Sequence, residues 1–116
     1  MHDPILELQA ELRKFAFDRD WEQFHSPKNL ATALSVEAAE LLEHFQWLTD
    51  AQSRELSAEK RIQVSQEIAD VLLYLLQLSD KLGIDPLDAG RRKLQANAAK
   101  YPIEQAKGSS KKYSEF

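Results

Sequence analysis

An all-α fold, a bundle of four main helices joined by short connections, is what the sequence predicts, and three features predict it. Apolar residues recur at three- and four-residue spacing through long stretches, the period of helices that turn one face to a core. Asp3-Pro4, Ser26-Pro27 and Asp85-Pro86 each couple a capping side chain to a proline at the first helical position, where its missing N–H costs nothing. No stretch alternates apolar and polar residues as a half-buried strand does, and no internal repeat is present.

In chain order, the first helix carries Ile5, Leu8, Leu12 and Phe15 and is expected to run from Pro4 to about Arg19. DRDWEQFHSPKN then forms a polar connection rich in aromatics. The second helix starts at Pro27 and is expected to reach Trp47 or Leu48, with an apolar stripe of Leu30, Leu34, Ala38, Leu41, Phe45 and Leu48. Thr49 to Leu56 reads as a polar linker. Ser57 can cap the third helix, which continues to about Leu82, where Gly83 supplies a C-terminal stop. The fourth helix opens at Asp85-Pro86, carries Leu87, Leu94, Asn97 and Ala98, and ends near Tyr101. The final KGSSKKYSEF has no periodicity and is expected to be extended or mobile. The expected organisation is a helical domain over residues 1–103 and an extended tail over 104–116.

Composition narrows the function classes. With 116 residues, 43% hydrophobic and 29% charged, the chain can bury one compact core and is not a disordered one. Its net charge of -4 gives no basic surface for a nucleic-acid polymer. The absence of cysteine excludes disulfides and thiolate metal sites. The longest apolar run, Val71 to Leu76, is too short to span a bilayer, and the N-terminus lacks the basic and apolar regions of a signal peptide. A cytoplasmic protein without a membrane partner is expected.

Two acidic pairs carry the chemistry. Glu37 and Glu40 on the second helix, and Glu67 and Asp70 on the third, have the i, i+3 spacing that puts both side chains of a pair on one helical face. Glu37 projects at the edge of an apolar stripe. The third helix is apolar over most of its circumference, and its exceptions Gln63, Glu67, Asp70 and Tyr74 share one strip. Four acids turned toward an interior repel one another and lose hydration unless a cation joins them. Oxygen ligands without cysteine suit Mg2+, with Mn2+ as a substitute, and Mg2+ keeps positions free for water and phosphate oxygens. That combination points to a phosphate-bearing substrate, and Trp21 and Trp47 could form a clamp around a base.

Plainer readings exist for each residue. Either acidic pair alone is a common feature of a solvated helix, Trp21 and Trp47 suit a core or an interface, His25 can cap a helix end, Tyr74 can fill the bundle, and Lys93 can be a solvated charge. A carboxylate-bridged di-iron bundle would need Glu-x-x-His on two helices. The only such spacing, Glu22 to His25, falls in the connection before Ser26-Pro27. A non-catalytic helical interaction module with an acidic face is the alternative class.

RDWEQFHSPKNLATALSVEAAELLEHFQW, followed by QEIADVLLYLLQL and KLQANAAKYP, resembles the all-α nucleotide pyrophosphohydrolases of the MazG-like superfamily, in the dCTP pyrophosphatase branch. The resemblance runs from about Phe15 to the tail. The family's ExxE and ExxD motifs match Glu37, Glu40, Glu67 and Asp70, with 26 residues between Glu40 and Glu67. The resemblance implies Mg2+-dependent cleavage of nucleoside triphosphates between the α and β phosphates, giving a monophosphate and pyrophosphate. It implies that the four acids hold metal, that Trp21, His25 and Trp47 contact base or deoxyribose, and that Tyr74 lies near the substrate. Asn29, Lys93 and Asn97 are further candidates for sugar or phosphate contacts, and Glu40 is the candidate to take the proton of the attacking water. Two departures stand out. Val36 replaces an acid that many relatives carry, and Leu12 stands where some relatives have a polar residue near the nucleotide, so relaxed cytosine selectivity is expected. The apolar circumference of the third helix calls for burial by another subunit, and the resemblance implies a homotetramer.

Overall fold

The computed structural model describes residues 3–115, and all of their regular structure is helical. The extreme ends of the two expected segments, residues 1–2 and 116, lie outside the described residues. The helices are α1 (Pro4–Asp18), α2 (Pro27–Glu43), α3 (Asp50–Ser53), α4 (Ala58–Lys81), α5 (Pro86–Lys100) and α6 (Ile103–Ala106), with 3-10 turns at Glu22–Phe24 and Tyr113–Glu115. The capping signals act as their chemistry requires. Asp3 Oδ1 accepts from the amides of Ile5 and Leu6 at 3.0 and 3.3 Å, Ser26 Oγ from Asn29 at 3.1 Å, Ser57 Oγ from Lys60 at 3.1 Å, and Asp85 Oδ1 from Leu87 and Asp88 at 3.0 and 3.1 Å. Each cap contributes about 1 kcal/mol.

Three local features differ from the sequence expectation. α2 ends at Glu43, a turn before Trp47, because the amides of His44 and Phe45 bond to Leu41 O and Leu42 O, three residues back, and tighten the helix into a turn. The supposed linker contains α3. Thr49 Oγ1 accepts from Gln52 N at 3.1 Å while Gln52 Oε1 accepts from Thr49 N at 2.9 Å, a reciprocal capping box written in the sequence as Thr-x-x-Gln. The tail includes α6 and a 3-10 turn, so it is not simply extended.

The chain divides into two compact units, the first ending at Gly83 and the second beginning at Ile84. Gly83 adopts φ 66°, a left-handed conformation that glycine reaches without Cβ strain. In the first unit α4 is central, and α1 and α2 both pack on it. Leu30 of α2 and Leu76 of α4 are almost wholly buried, with Ala16 of α1 and Val64 of α4 close behind. α1 is pinned to α4 by polar contacts as well. Buried Gln9 donates from Nε2 to Leu76 O at 3.0 Å, and Arg13 Nη1 reaches both oxygens of Asp80 at 2.8 Å. Lys60 Nζ meets His44 Nδ1 at 3.2 Å between α4 and the end of α2. In the second unit, α5 buries no residue, and Arg92 pairs with Asp88 across one turn at 3.0 Å.

α4 is not covered all round within one chain. Ile68, Leu72, Leu75 and Leu82, spaced at four, three and seven residues, follow one side of the helix and are 53%, 40%, 42% and 53% exposed.

Leu76→Ala, which empties a fully buried site, is expected to lower the unfolding free energy by about 2–5 kcal/mol in urea titrations. Arg13→Ala removes an exposed ion pair and should cost less than about 1 kcal/mol. Equal losses for the two would overturn the assignment of Leu76 as the centre of the core.

Candidate metal centre

Packing of α2 on α4 brings the two acidic pairs together. One carboxylate oxygen each from Glu37, Glu67 and Asp70 lie within 4.8 Å of one another. Glu37 Oε2 and Glu67 Oε2 are buried and receive no hydrogen bond from the protein. Two buried oxygens of this kind cost several kcal/mol unless a proton or a cation satisfies them. Glu37 shows the proton solution. Its pKa is pushed up to about 7, first because its protonated form hydrogen-bonds to Glu40, then because it is desolvated, then through a bond to Glu67 and the charges of Glu40 and Asp70. Carboxyls can share a hydrogen bond only when one of them holds a proton.

The donor set fits a hard divalent cation. All the converging atoms are carboxylate oxygens, and on an octahedral ion with metal–oxygen bonds of about 2.0–2.1 Å such ligands stand about 3–4 Å apart. Glu40, on the next turn of α2, stands outside the converging trio and against Glu37, so three of the four predicted ligands form the group and the fourth flanks it.

Asp70 also belongs to a cavity of about 340 Å³, within the size range of small-molecule sites. α1 lines it with Leu8, Glu11, Leu12 and Phe15, the following connection adds Trp21 and His25, and α4 adds Asp70, Leu73, Tyr74 and Gln77. The connection is shaped by a tight reversal at Asp20, at φ 53°, after which Trp21 N bonds back to Ala16 O at 2.9 Å. The Trp21 ring stands edge-on to Phe15, with centroids 5.7 Å apart, and to His25 at 6.5 Å. An aromatic wall and a carboxylate trio therefore share one residue.

Of the other predicted contacts, Trp21, His25 and Tyr74 line the cavity. Trp47 does not. It sits in the turn after α2, is 86% exposed, and forms no clamp with Trp21 within one chain, because the early end of α2 carries it off the helical face that holds Glu37 and Glu40. Asn29 Nδ2 donates to Phe24 O at 2.9 Å and braces the 3-10 turn against α2, which leaves its Oδ1 for other contacts. Lys93 and Asn97 lie on α5, in the second unit. Glu11, Leu73 and Gln77 were not singled out by the sequence, although their spacing from Leu8 and Asp70 puts them on the same helical faces.

Residues 32–116 match the MazG-like family. The chain belongs to that family. It is 42% identical to dCTP pyrophosphatase 1 of Homo sapiens and 39% identical to that of Rattus norvegicus, each over 98% of this chain. It spans 66% of the length of each of those relatives. A crystal structure of a pyrophosphatase from Archaeoglobus fulgidus superposes with a TM-score of 0.72 at 42% identity, covering 88% of this chain and 95% of the archaeal one. The all-α bundle of the MazG-like type read from the sequence is thus the fold of this chain.

The raised pKa of Glu37 gives metal-free protein a signed pH dependence. Below the ordinary value of 4.5 the carboxyl is protonated whether the chain is folded or not. Between 4.5 and about 7 the folded state keeps a proton that the unfolded state has released, so this group's contribution to stability falls as pH rises through that window. Thermal unfolding in EDTA from pH 4 to 8 should show this loss, and Glu37→Gln should remove it and unfold at a higher temperature than the parent at pH 8. Parallel curves for the two proteins would refute the assignment.

Proposed function

We propose that this MazG-like chain is a divalent-cation-dependent pyrophosphohydrolase that converts (deoxy)nucleoside triphosphates, dCTP-like ones by preference, to the monophosphate and pyrophosphate, a reaction suited to cleansing a nucleotide pool. The observation that carries the proposal is the convergence of Glu37, Glu67 and Asp70, two of them with buried oxygens lacking any donor, at the edge of an aromatic cavity that shares Asp70. The substrate class is supported by the dCTP pyrophosphatases that the chain matches over nearly its whole length.

In this reading Glu37, Glu40, Glu67 and Asp70 hold the cation, Mg2+ with Mn2+ as a substitute, and Glu40 is also the base. A bound divalent cation supplies charge neutralisation for the triphosphate oxygens and makes water more acidic. The protein does the rest. Glu40, next to the trio, takes the proton from the water that attacks the α phosphorus. Trp21 and Phe15 wall the base from solvent, His25 and Tyr74 bound the sugar side, and Asn29 offers Oδ1. Lys93, Asn97 and the exposed Trp47 complete the proposed set of substrate contacts.

Self-association belongs to the same proposal. The exposed side of α4 through Ile68, Leu72, Leu75 and Leu82 suits burial by another copy of the chain, and a homotetramer is the assembly inferred. No helix among the described residues is long and apolar enough to cross a membrane. A cytoplasmic place, beside the nucleotide pool, is inferred with the activity.

Purified protein incubated with each dNTP and NTP is expected to yield monophosphate and pyrophosphate with Mg2+ and nothing with EDTA, as resolved by ion-exchange chromatography. In oxygen-18 water the label should enter the monophosphate; label in pyrophosphate would place the attack at the β phosphorus instead. Glu67→Gln or Asp70→Asn should cost more than about a hundredfold in turnover. A folded protein that turns over no nucleotide would sink the reading in favour of a non-catalytic interaction module. In sedimentation, a tetramer is expected at micromolar concentration, and a monomer would remove the assembly from the proposal.

A further inference from the structure

The acids and the cavity occupy part of one polar strip along α4. Lys60, Gln63, Glu67, Asp70, Tyr74 and Gln77 recur at three- and four-residue spacing and so share one helical face. The cavity takes in Asp70, Tyr74 and Gln77, towards the C-terminal end. Lys60 stands at the other end, seven residues before Glu67 and about 10 Å from it along the helix axis. Glu37 meets Glu67, and His44, two turns further along α2, meets Lys60, so the acids and the lysine lie on one seam between antiparallel helices.

Lys60 is held without being neutralised. Half-buried, it brings Nζ to 3.2 Å from His44 Nδ1. An ammonium only donates, so the imidazole nitrogen accepts and the ring carries its proton on Nε2. No carboxylate pairs with Lys60 among the described residues, whereas Arg13, Lys14 and Arg92 each face an aspartate. The imidazole fixes the direction of the ammonium and leaves its charge and two N–H donors for another partner. Lys60 also lines a groove of about 430 Å³, through which an anion reaches it from solvent.

A nucleoside triphosphate is a linear ligand. With its base among the aromatics and its α phosphate at the acids, the β and γ phosphates continue along the strip towards Lys60. Two phosphates and the four-carbon stem of a lysine together cover the distance. We infer that Lys60, oriented by His44, binds the β and γ phosphates and the pyrophosphate they become. In the proposed reaction water attacks the α phosphorus, the bond to the bridging oxygen breaks, and its electron pair leaves with the pyrophosphate. A cation at the far end of that group offsets the added charge. The inference rests on the proposed pyrophosphohydrolase reading and adds a residue to the phosphate end of the same site.

Lys60→Met and Lys60→Gln remove the charge, the first keeping an apolar stem, and Lys60→Arg keeps the charge; circular dichroism confirms folding. Calorimetric titration with pyrophosphate in Mg2+ is expected to show about tenfold weaker binding to Lys60→Met than to the parent, as loss of a charge-assisted hydrogen bond predicts. Binding of dCMP should stay within twofold, and Lys60→Arg should restore most of the pyrophosphate affinity. The kcat/KM for dCTP should follow the same order. Unchanged pyrophosphate affinity in Lys60→Met and Lys60→Gln, or equal weakening of pyrophosphate and dCMP, would overturn the inference, while hydrolysis by the parent left the reaction standing. Weaker pyrophosphate binding with kcat/KM for dCTP unchanged would make Lys60 a site for free phosphate alone and would overturn it too. No turnover of any nucleotide by the parent, with no binding of pyrophosphate, would overturn both readings.

Discussion

The packing of α2 against α4 is the constraint on which the rest depends. It buries the apolar stripes of two helices, and the same register forces Glu37, Glu67 and Asp70 to converge with Glu40 alongside. Hydrophobic burial is non-directional and large in sum, so it can impose a local electrostatic penalty that the acids alone would avoid. Metal-free protein relieves part of the penalty by holding a proton on Glu37. The repulsion marks a place where the sequence departs from what stability alone would choose, as functional sites commonly do.

α1 has a different task. Gln9 and the Arg13–Asp80 pair set its height and rotation on α4, and that setting creates the cavity between Leu8, Leu12 and Phe15 on one side and Leu73 on the other. The exposed ion pair adds little energy but much orientation, because both oxygens of Asp80 engage one nitrogen of Arg13. The buried Gln9 bond matters more, since losing its partner would strand a polar group in the core. Asp20 then reverses the chain so that Trp21 returns to close the cavity beside Phe15.

The caps were legible because their chemistry is local: Asp3, Ser26, Ser57 and Asp85 bond to amides two or three residues away. α3 is equally local: its Thr49–Gln52 capping box lies within four residues, but the segment carries no apolar run to mark a helix. The end of α2 was not readable in this way. Phe45 and Leu48 continue the helical period, yet the backbone tightens after Glu43 and Trp47 leaves the face it would share with Glu37 and Glu40.

By itself the sequence determined the helical class, the starts of the four long helices and the acidic pairs on α2 and α4, all of which follow from spacing within one turn or from side chains bonding to nearby backbone. The tertiary structure decided which three carboxylates meet, that Trp21 rather than Trp47 walls the cavity, and that Glu11 and Gln77 share it. Those facts depend on the relative height and rotation of α1, α2 and α4, set by packing between residues tens of positions apart, and no local periodicity encodes them.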